Sequence, residues 1–359
     1  MPEQFIKFTP ERIKQYEKSG YRIVGKHKHT GVEICRWTKS KLRGERNCYK
    51  ATYGIRSHRC IQMTPTLDFC SFSCKFCWRT FGEDRFKAEK KWDDPKTIVD
   101  NIIIAQRNLL SGFGGNPKTT KLAFKEAMKP AHVAISLDGE PTLYPHLPEL
   151  IQEIKSRGMT AFLVTNGTFP NRLKEIIQKK AFPTNLYISV YATNPDDYKF
   201  ITNSFIKEPF ERVIESLKLM KEFEETRTIF RMTLVKGYNI KDPEGYAKLI
   251  KIAEPKFIEF KGYSYLGGSK KRLQMSNMPR MEELEEFAQE ISKHTGYKIK
   301  VRDKTSRVIV FIKDDETWKW NMQKIKAQDE YFKKATMAQA EREIESEIKE
   351  VEATPEEMS

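Results

Sequence analysis

Hydrophobic positions along this chain alternate between two rhythms. Short apolar runs rich in β-branched and aromatic residues predict strands at 60–65, 132–137, 160–165, 186–191, 228–235 and 257–261. Between them the apolar positions fall at helical spacing, as in Ile98, Ile102, Ala105 and Leu109 within 95–110. The same spacing predicts helices near 146–157, 171–180, 210–223, 243–253 and 281–294. Six strand–helix units of this kind imply an α/β fold, a parallel sheet joined by right-handed crossovers. Six units fall short of the eight of a closed barrel. Residues 298–303 and 307–313 read as a terminal hairpin, and a charged helix runs from Asp315 to about Val351. Trp318, Trp320 and Met322 in its first turns are expected to pack on the body. A Gly-rich stretch at 111–117 leads into Lys118, Lys121, Lys125 and Lys129. It reads either as a basic insertion or as a plain surface loop.

Composition permits a packed core, with 39% hydrophobic residues in a chain of 359. No apolar run approaches the roughly 18 residues of a membrane span, and residues 1–5 carry no apolar signal-peptide region. A cytoplasmic protein without a membrane partner is expected, so its cysteines are read as ligands or catalysts rather than disulfides. The formal net charge is +15, from 64 Lys and Arg against 49 Asp and Glu. Between residues 26 and 59 ten cations are opposed by only Glu33 and Glu45, while Glu341, Glu343, Glu345, Glu347 and Glu350 gather near the C-terminus. Such segregation points to a polyanionic partner, with nucleic acid the leading class; a soluble or heat-adapted surface is the plainer alternative.

The chemistry lies in the cysteines, all six within the first 77 residues. Cys70, Cys74 and Cys77 form C-x3-C-x2-C with Phe76 before the last thiol. Three thiolates on one short loop suit three irons of a [4Fe–4S] cluster, whose fourth iron stays open. Structural zinc, the alternative, usually takes four ligands. The run resembles the signature of the radical S-adenosylmethionine (SAM) superfamily, in which SAM chelates the open iron. The resemblance implies a partial (β/α)6 TIM-like barrel with an N-terminal cluster-binding segment (1–59), a core (60–296) and a C-terminal helical extension (297–359). Polar residues at successive strand ends then become SAM contacts. Asp138-Gly139-Glu140-Pro141 is similar to the GGE-type motif, with Asp138 in place of its first glycine, and Glu140 suits the methionine ammonium. Asn166, Ser189 and Arg231 are the further SAM-binding candidates.

Cys35, Cys48 and Cys60 precede the signature at spacings that, taken alone, fit buried free thiols. Together with Asn47-Cys48-Tyr49-Lys50 and Glu259-Phe260-Lys261-Gly262-Tyr263, however, they resemble one subfamily, the tRNA 4-demethylwyosine synthases of shorter archaeal type, without a flavodoxin-like domain. That resemblance implies a second [4Fe–4S] cluster on these three cysteines and, for a chain of this type, an external low-potential electron donor. It implies a 5′-deoxyadenosyl radical that takes hydrogen from the N1-methyl of 1-methylguanosine-37 in tRNA(Phe). The carbon radical then attacks pyruvate, whose carboxylate carbon leaves, and the third ring closes on the guanine amine. Lys50 is the candidate to form a Schiff base with pyruvate, or else one more phosphate-binding cation. Trp78, Phe81, Tyr49, Tyr53 and Tyr263 are available to an extruded base. A monomer is expected. The alternatives are a methylthiotransferase, which would need a larger N-terminal domain, a glycyl-radical activating enzyme, and a zinc-stapled tRNA-binding module.

Overall fold

A computed structural model describes residues 9–79 and 91–352, with side chains described up to residue 335. The described residues up to Asp314 form one compact unit, and the helix that begins at Asp315 forms a second.

A ten-stranded sheet organises the first unit. Its centre is six parallel strands, β3 (Cys60–Thr64), β4 (His132–Ile135), β5 (Thr160–Thr165), β6 (Asn185–Val190), β7 (Arg227–Leu234) and β8 (Phe257–Gly262). They lie side by side in chain order. A doubly wound sheet reverses its order at a switch point. No reversal occurs here, so every strand delivers its C-terminal end to one continuous rim, as in a partial barrel.

Two antiparallel hairpins extend this centre. β1 (Tyr21–Val24) and β2 (Thr30–Glu33) add to β3. At the other side β10 (Val308–Ile312) pairs with β8, and β9 (Lys298–Asp303) pairs with β10. Cross-strand helices α3 (Pro95–Leu110), α5 (Leu147–Ser156), α6 (Pro170–Gln178), α9 (Pro243–Ala253) and α10 (Met281–Thr295) follow β3, β4, β5, β7 and β8. Two helices, α7 (Pro195–Thr202) and α8 (Pro209–Lys218), follow β6. α1 (Pro10–Lys18), α2 (Arg36–Leu42) and α4 (Lys121–Ala127) complete the unit, and α11 (Asp315–Glu352) is the second. The Lys-rich insertion is thus partly helical: Ala123 and Ala127 of α4 pack with Ile34, Leu42 and Leu110. That apolar contact braces the segment carrying Cys35.

β6 and β10 are buried along their whole lengths, the mark of strands covered on both faces. The loops at the rim meet backbone to backbone. Gly139 sits at φ +69°, and a Cβ there would lie 1.9 Å from the Thr66 carbonyl oxygen and 2.5 Å from that of Phe69. Gly139→Ala should therefore lower stability by about 1–3 kcal/mol from left-handed backbone strain alone, with the carbonyl clashes added. The measurement is the midpoint of denaturant unfolding at unchanged slope; an unshifted midpoint would refute this packing.

Candidate active site

Two cavities open along the rim, and each takes its own set of three thiols. The first, about 160 Å³, is lined by Cys70, Cys74 and Cys77 together with Glu140, Asn166, Ser189 and Tyr191. The second, about 230 Å³, is lined by Cys35, Cys48, Cys60, Lys50, Tyr49 and Arg231. Trp78, Arg79 and Ser136 line both.

The loop after β3 that carries Cys70, Cys74 and Cys77 is held by backbone bonds to the end of α7. Ser73 and Lys75 donate to Thr202 and Ile201, each at 3.0 Å, and Phe205 donates to Ser71 at 3.0 Å. Arg272 closes the other side, donating to the carbonyls of Lys75 at 3.1 Å and of Cys77. Phe76 packs on Tyr191, with ring centroids 5.0 Å apart. The signature loop is therefore pinned without help from its thiols.

Glu140 is fully buried and already well bonded. Its Oε1 accepts from the Thr142 amide (3.1 Å) and from the hydroxyls of Thr142 and Thr165 (2.6 Å each), and its Oε2 accepts from the Asn166 amide at 2.7 Å. A carboxylate offers about four acceptor sites, two per oxygen, so only Oε2 retains capacity for a ligand. Burial raises the Glu140 pKa against those bonds. Asn166 donates to Ser71 Oγ at 2.8 Å and reaches Cys70 Sγ at 4.0 Å. Ser189, at the end of β6, lines the same cavity.

Arg231 departs from this set. It lines the second cavity, beside Lys50 and the other three cysteines, and not the cavity of Glu140, Asn166 and Ser189. Its Nε lies 3.6 Å from Glu259 Oε1, which also accepts from the Tyr49 hydroxyl at 2.9 Å. Burial opposes the charge on Arg231, but Tyr49 and Glu259 more than offset it and its pKa is raised. Glu259 is wholly buried, and its Oε2 finds no hydrogen-bond partner among the described residues. Next to it, burial and the nearby Arg231 push Lys261 down to about 8. The sequence reading assigned no role to Glu259 and Lys261. A charged residue at alternate positions of an otherwise apolar strand was the available signal.

Cys35 caps the start of α2, Cys48 precedes a short 3-10 turn at Tyr49–Tyr53, and Cys60 opens β3. Ser57 ties two of these segments: its hydroxyl accepts from the Cys48 amide at 2.8 Å, and its carbonyl accepts from the Thr38 hydroxyl at 2.8 Å. All six cysteines are free thiols. Burial raises Cys35 and pushes Cys48 and Cys60 up to about 12. Buried thiols with such values become ligands when a cation displaces the proton. Among the described residues no three His, Cys, Asp or Glu side chains close on a point suited to one metal ion. Three thiols in one cavity wall are the donor type that a cluster with one open iron takes, each thiolate on its own iron.

Of the aromatics proposed for a base, Tyr53 and Tyr263 are buried and Tyr49 is engaged with Glu259; Trp78 stands 43% exposed. Phe81 lies outside the described residues. Among the described residues no helix is long and apolar enough to cross a membrane.

Comparison with known proteins agrees with this geometry. The Radical SAM superfamily model matches residues 64–250, and a model described as Wyosine base formation matches 252–313. The S-adenosyl-L-methionine-dependent tRNA 4-demethylwyosine synthase of Pyrococcus horikoshii is 46% identical over 304 residues, 84% of this chain and 88% of that one. Its namesake from Saccharomyces cerevisiae is 38% identical over 79% of this chain but only 35% of its own length. A solved structure of TYW1 with a lysine–pyruvate adduct bound has a TM-score of 0.77 at 35% identity, covering 86% of this chain and 97% of that one. An archaeal TYW1 crystal structure has a TM-score of 0.69 at 32% identity, over the same shares. By the measure of identity and coverage alike, the chain belongs to the radical SAM tRNA 4-demethylwyosine synthases.

Proposed function

We propose that this protein condenses 1-methylguanosine-37 of tRNA(Phe) with pyruvate to form 4-demethylwyosine, using SAM and two [4Fe–4S] clusters. One observation carries the reading: two three-thiol cavities share the wall of Trp78, Arg79 and Ser136, and one of them contains Lys50. Cleavage of a carbon–carbon bond in pyruvate would place the activity among the lyases.

Cys70, Cys74 and Cys77 would hold the first cluster, and Cys35, Cys48 and Cys60 the second. When bound, the first cluster with SAM supplies a 5′-deoxyadenosyl radical, and the second offers an open iron as a Lewis acid. This chain's own residues bind and orient. Glu140 Oε2 takes one hydrogen of the SAM ammonium, while its Oε1, saturated by Thr142 and Thr165, fixes the loop. Asn166 and Ser189 hold the remaining polar edge of that cavity. Lys50 attacks the ketone carbon of pyruvate through its amine and loses water to form an imine, as the lysine–pyruvate adduct in the TYW1 structure suggests. Arg231, held at its Nε side by Glu259, pairs with the pyruvate carboxylate rather than with SAM. Lys and Arg of the 26–59 stretch take tRNA phosphates. A low-potential electron donor, a monomeric state and a cytoplasmic setting, where six free thiols persist, complete the proposal. The N-terminal segment, core and C-terminal extension divide at 59/60 and 296/297.

Anaerobic reconstitution of the wild type should give about eight irons, falling to about four when Cys35, Cys48 and Cys60 are all replaced by Ala. Four irons in both proteins would remove the second cluster. Lys50→Arg should retain the iron but lose pyruvate trapped by borohydride; full turnover in that variant would eliminate the imine. Arg231→Gln should raise KM for pyruvate about ten- to a hundredfold, the span of one hydrogen bond to a charged group, while binding of SAM by equilibrium dialysis stays unchanged. A reversed pattern would return Arg231 to the SAM cavity.

A further inference from the structure

A third cavity, about 170 Å³, opens beside the two thiol cavities. Tyr16 of α1, Tyr21 of β1 and Glu33 of β2 line it, with Asp138 and the Trp78–Arg79 pair. Trp78 and Arg79 thus line all three cavities, and Asp138 is common to this one and the Cys70/Cys74/Cys77 cavity. Three reactants must meet in the proposed reaction. The first two cavities account for SAM and pyruvate, which leaves the base without a place.

The third cavity has the character a guanine ring needs. Its wall carries three aromatics among polar side chains: Tyr16 and Tyr21 meet edge to face at 5.0 Å, and Trp78 presents exposed ring surface, beside Arg12, Gln15 and Ser19. Arg79 lies over the Trp78 ring at 3.2 Å and donates to the Leu137 carbonyl, so the indole is held at the junction. Glu33 supplies the acceptor. Its Oε2 takes Arg79 Nη1 at 3.4 Å, and its Oε1 has no hydrogen-bond partner among the described residues. An unmethylated guanine presents two donors, N1–H and the exocyclic amine, to a whole carboxylate. In 1-methylguanine the N1 donor is gone and a single amine donor remains. One open carboxylate oxygen is its complement, and a base without that amine would leave the oxygen desolvated and unpaired.

We propose that this third cavity receives the 1-methylguanine base extruded from the anticodon loop, with Glu33 Oε1 accepting a hydrogen bond from its exocyclic amine. The assignment rests on the reading that the substrate is tRNA carrying 1-methylguanosine. It places the methyl carbon at the Trp78–Arg79 junction, within reach of both thiol cavities, and it gives the β1–β2 hairpin a recognition role.

The test uses the reconstituted holoenzyme and two tRNAs, with 1-methylguanosine or 1-methylinosine at position 37; the second lacks only the amine. Filter binding at fixed salt should show the wild type preferring the first about ten- to a hundredfold. Glu33→Ala should bind both at the weaker level. If that variant does not fold, judged by circular dichroism, Glu33→Gln should retain only a few-fold preference, since a neutral acceptor replaces a charged one. A wild type that makes product yet shows no preference, or a folded Glu33 variant that keeps the full preference, overturns the cavity assignment. A wild type that forms no 4-demethylwyosine from the first tRNA, pyruvate, SAM and reductant instead overturns the underlying function.

Discussion

A single buried carboxylate joins the loops on which the first cavity depends. Glu140 follows β4, but its side chain accepts from Thr165 and Asn166 at the end of β5, and its amide donates to Phe69 in the loop after β3 at 2.7 Å. Three adjacent strand ends are thereby locked in a fixed offset. Asn166, positioned by that lock, reaches back to Ser71 beside the first signature cysteine. A buried carboxylate is tolerated where protein donors satisfy it, and here four do, three of them on Oε1, which leaves one acceptor site on Oε2. The cost of burying Glu140 becomes the rigidity of the thiol loop.

The second cavity uses the opposite device. Glu259 is as deeply buried, but it is incompletely satisfied and faces Arg231 and Tyr49. A cation held against such a group stays charged and fixed in direction while its remaining donors face the cavity. Lys261, two residues on, has its pKa lowered by burial and the same Arg231. Arg231 and Lys50 thus line the same cavity as Cys35, Cys48 and Cys60, with the Arg231 charge held in place by Glu259.

The parallel strands were legible because their runs are rich in apolar and β-branched residues and bounded by Gly, Pro and Asn; β5 was expected at its observed bounds, and α3 and α9 likewise. The β1–β2 hairpin was not, because its strands have four residues each and its turn is a run of Lys and His. α7 was hidden by its brevity beside α8. Spacing singles out Cys70, Cys74 and Cys77 and the resemblance singles out Lys50, both local signals, and the structure sets each of them in a cavity wall. Arg231 shows the limit of strand-end reasoning. It pairs in register with Ser189 on the neighbouring strand, yet the two line different cavities. A rim position in sequence does not specify which way a curved sheet turns its side chain. The Glu33–Arg79 pair spans 46 positions, and no pattern in one sequence announces it.

Both hairpins were added where a parallel sheet would otherwise end. An open edge invites pairing with other chains, and the edge of β9 answers that with Lys298, Lys300 and Arg302 outward in alternation. The additions do more than cover the edges. β2 brings Glu33 to the Trp78–Arg79 junction and leads directly into Cys35, while β10 pairs along β8 and so sets the strand that carries Glu259 and Lys261. A six-stranded centre of this kind supplies one rim and one thiol loop. Of the second thiol set, Cys35 and Cys48, with Lys50, come from the segment between β2 and β3, while Cys60 opens β3 itself. An extension that stabilises the sheet thus also decides which chemistry the rim can reach, because its residues arrive at the same strand ends as the first site.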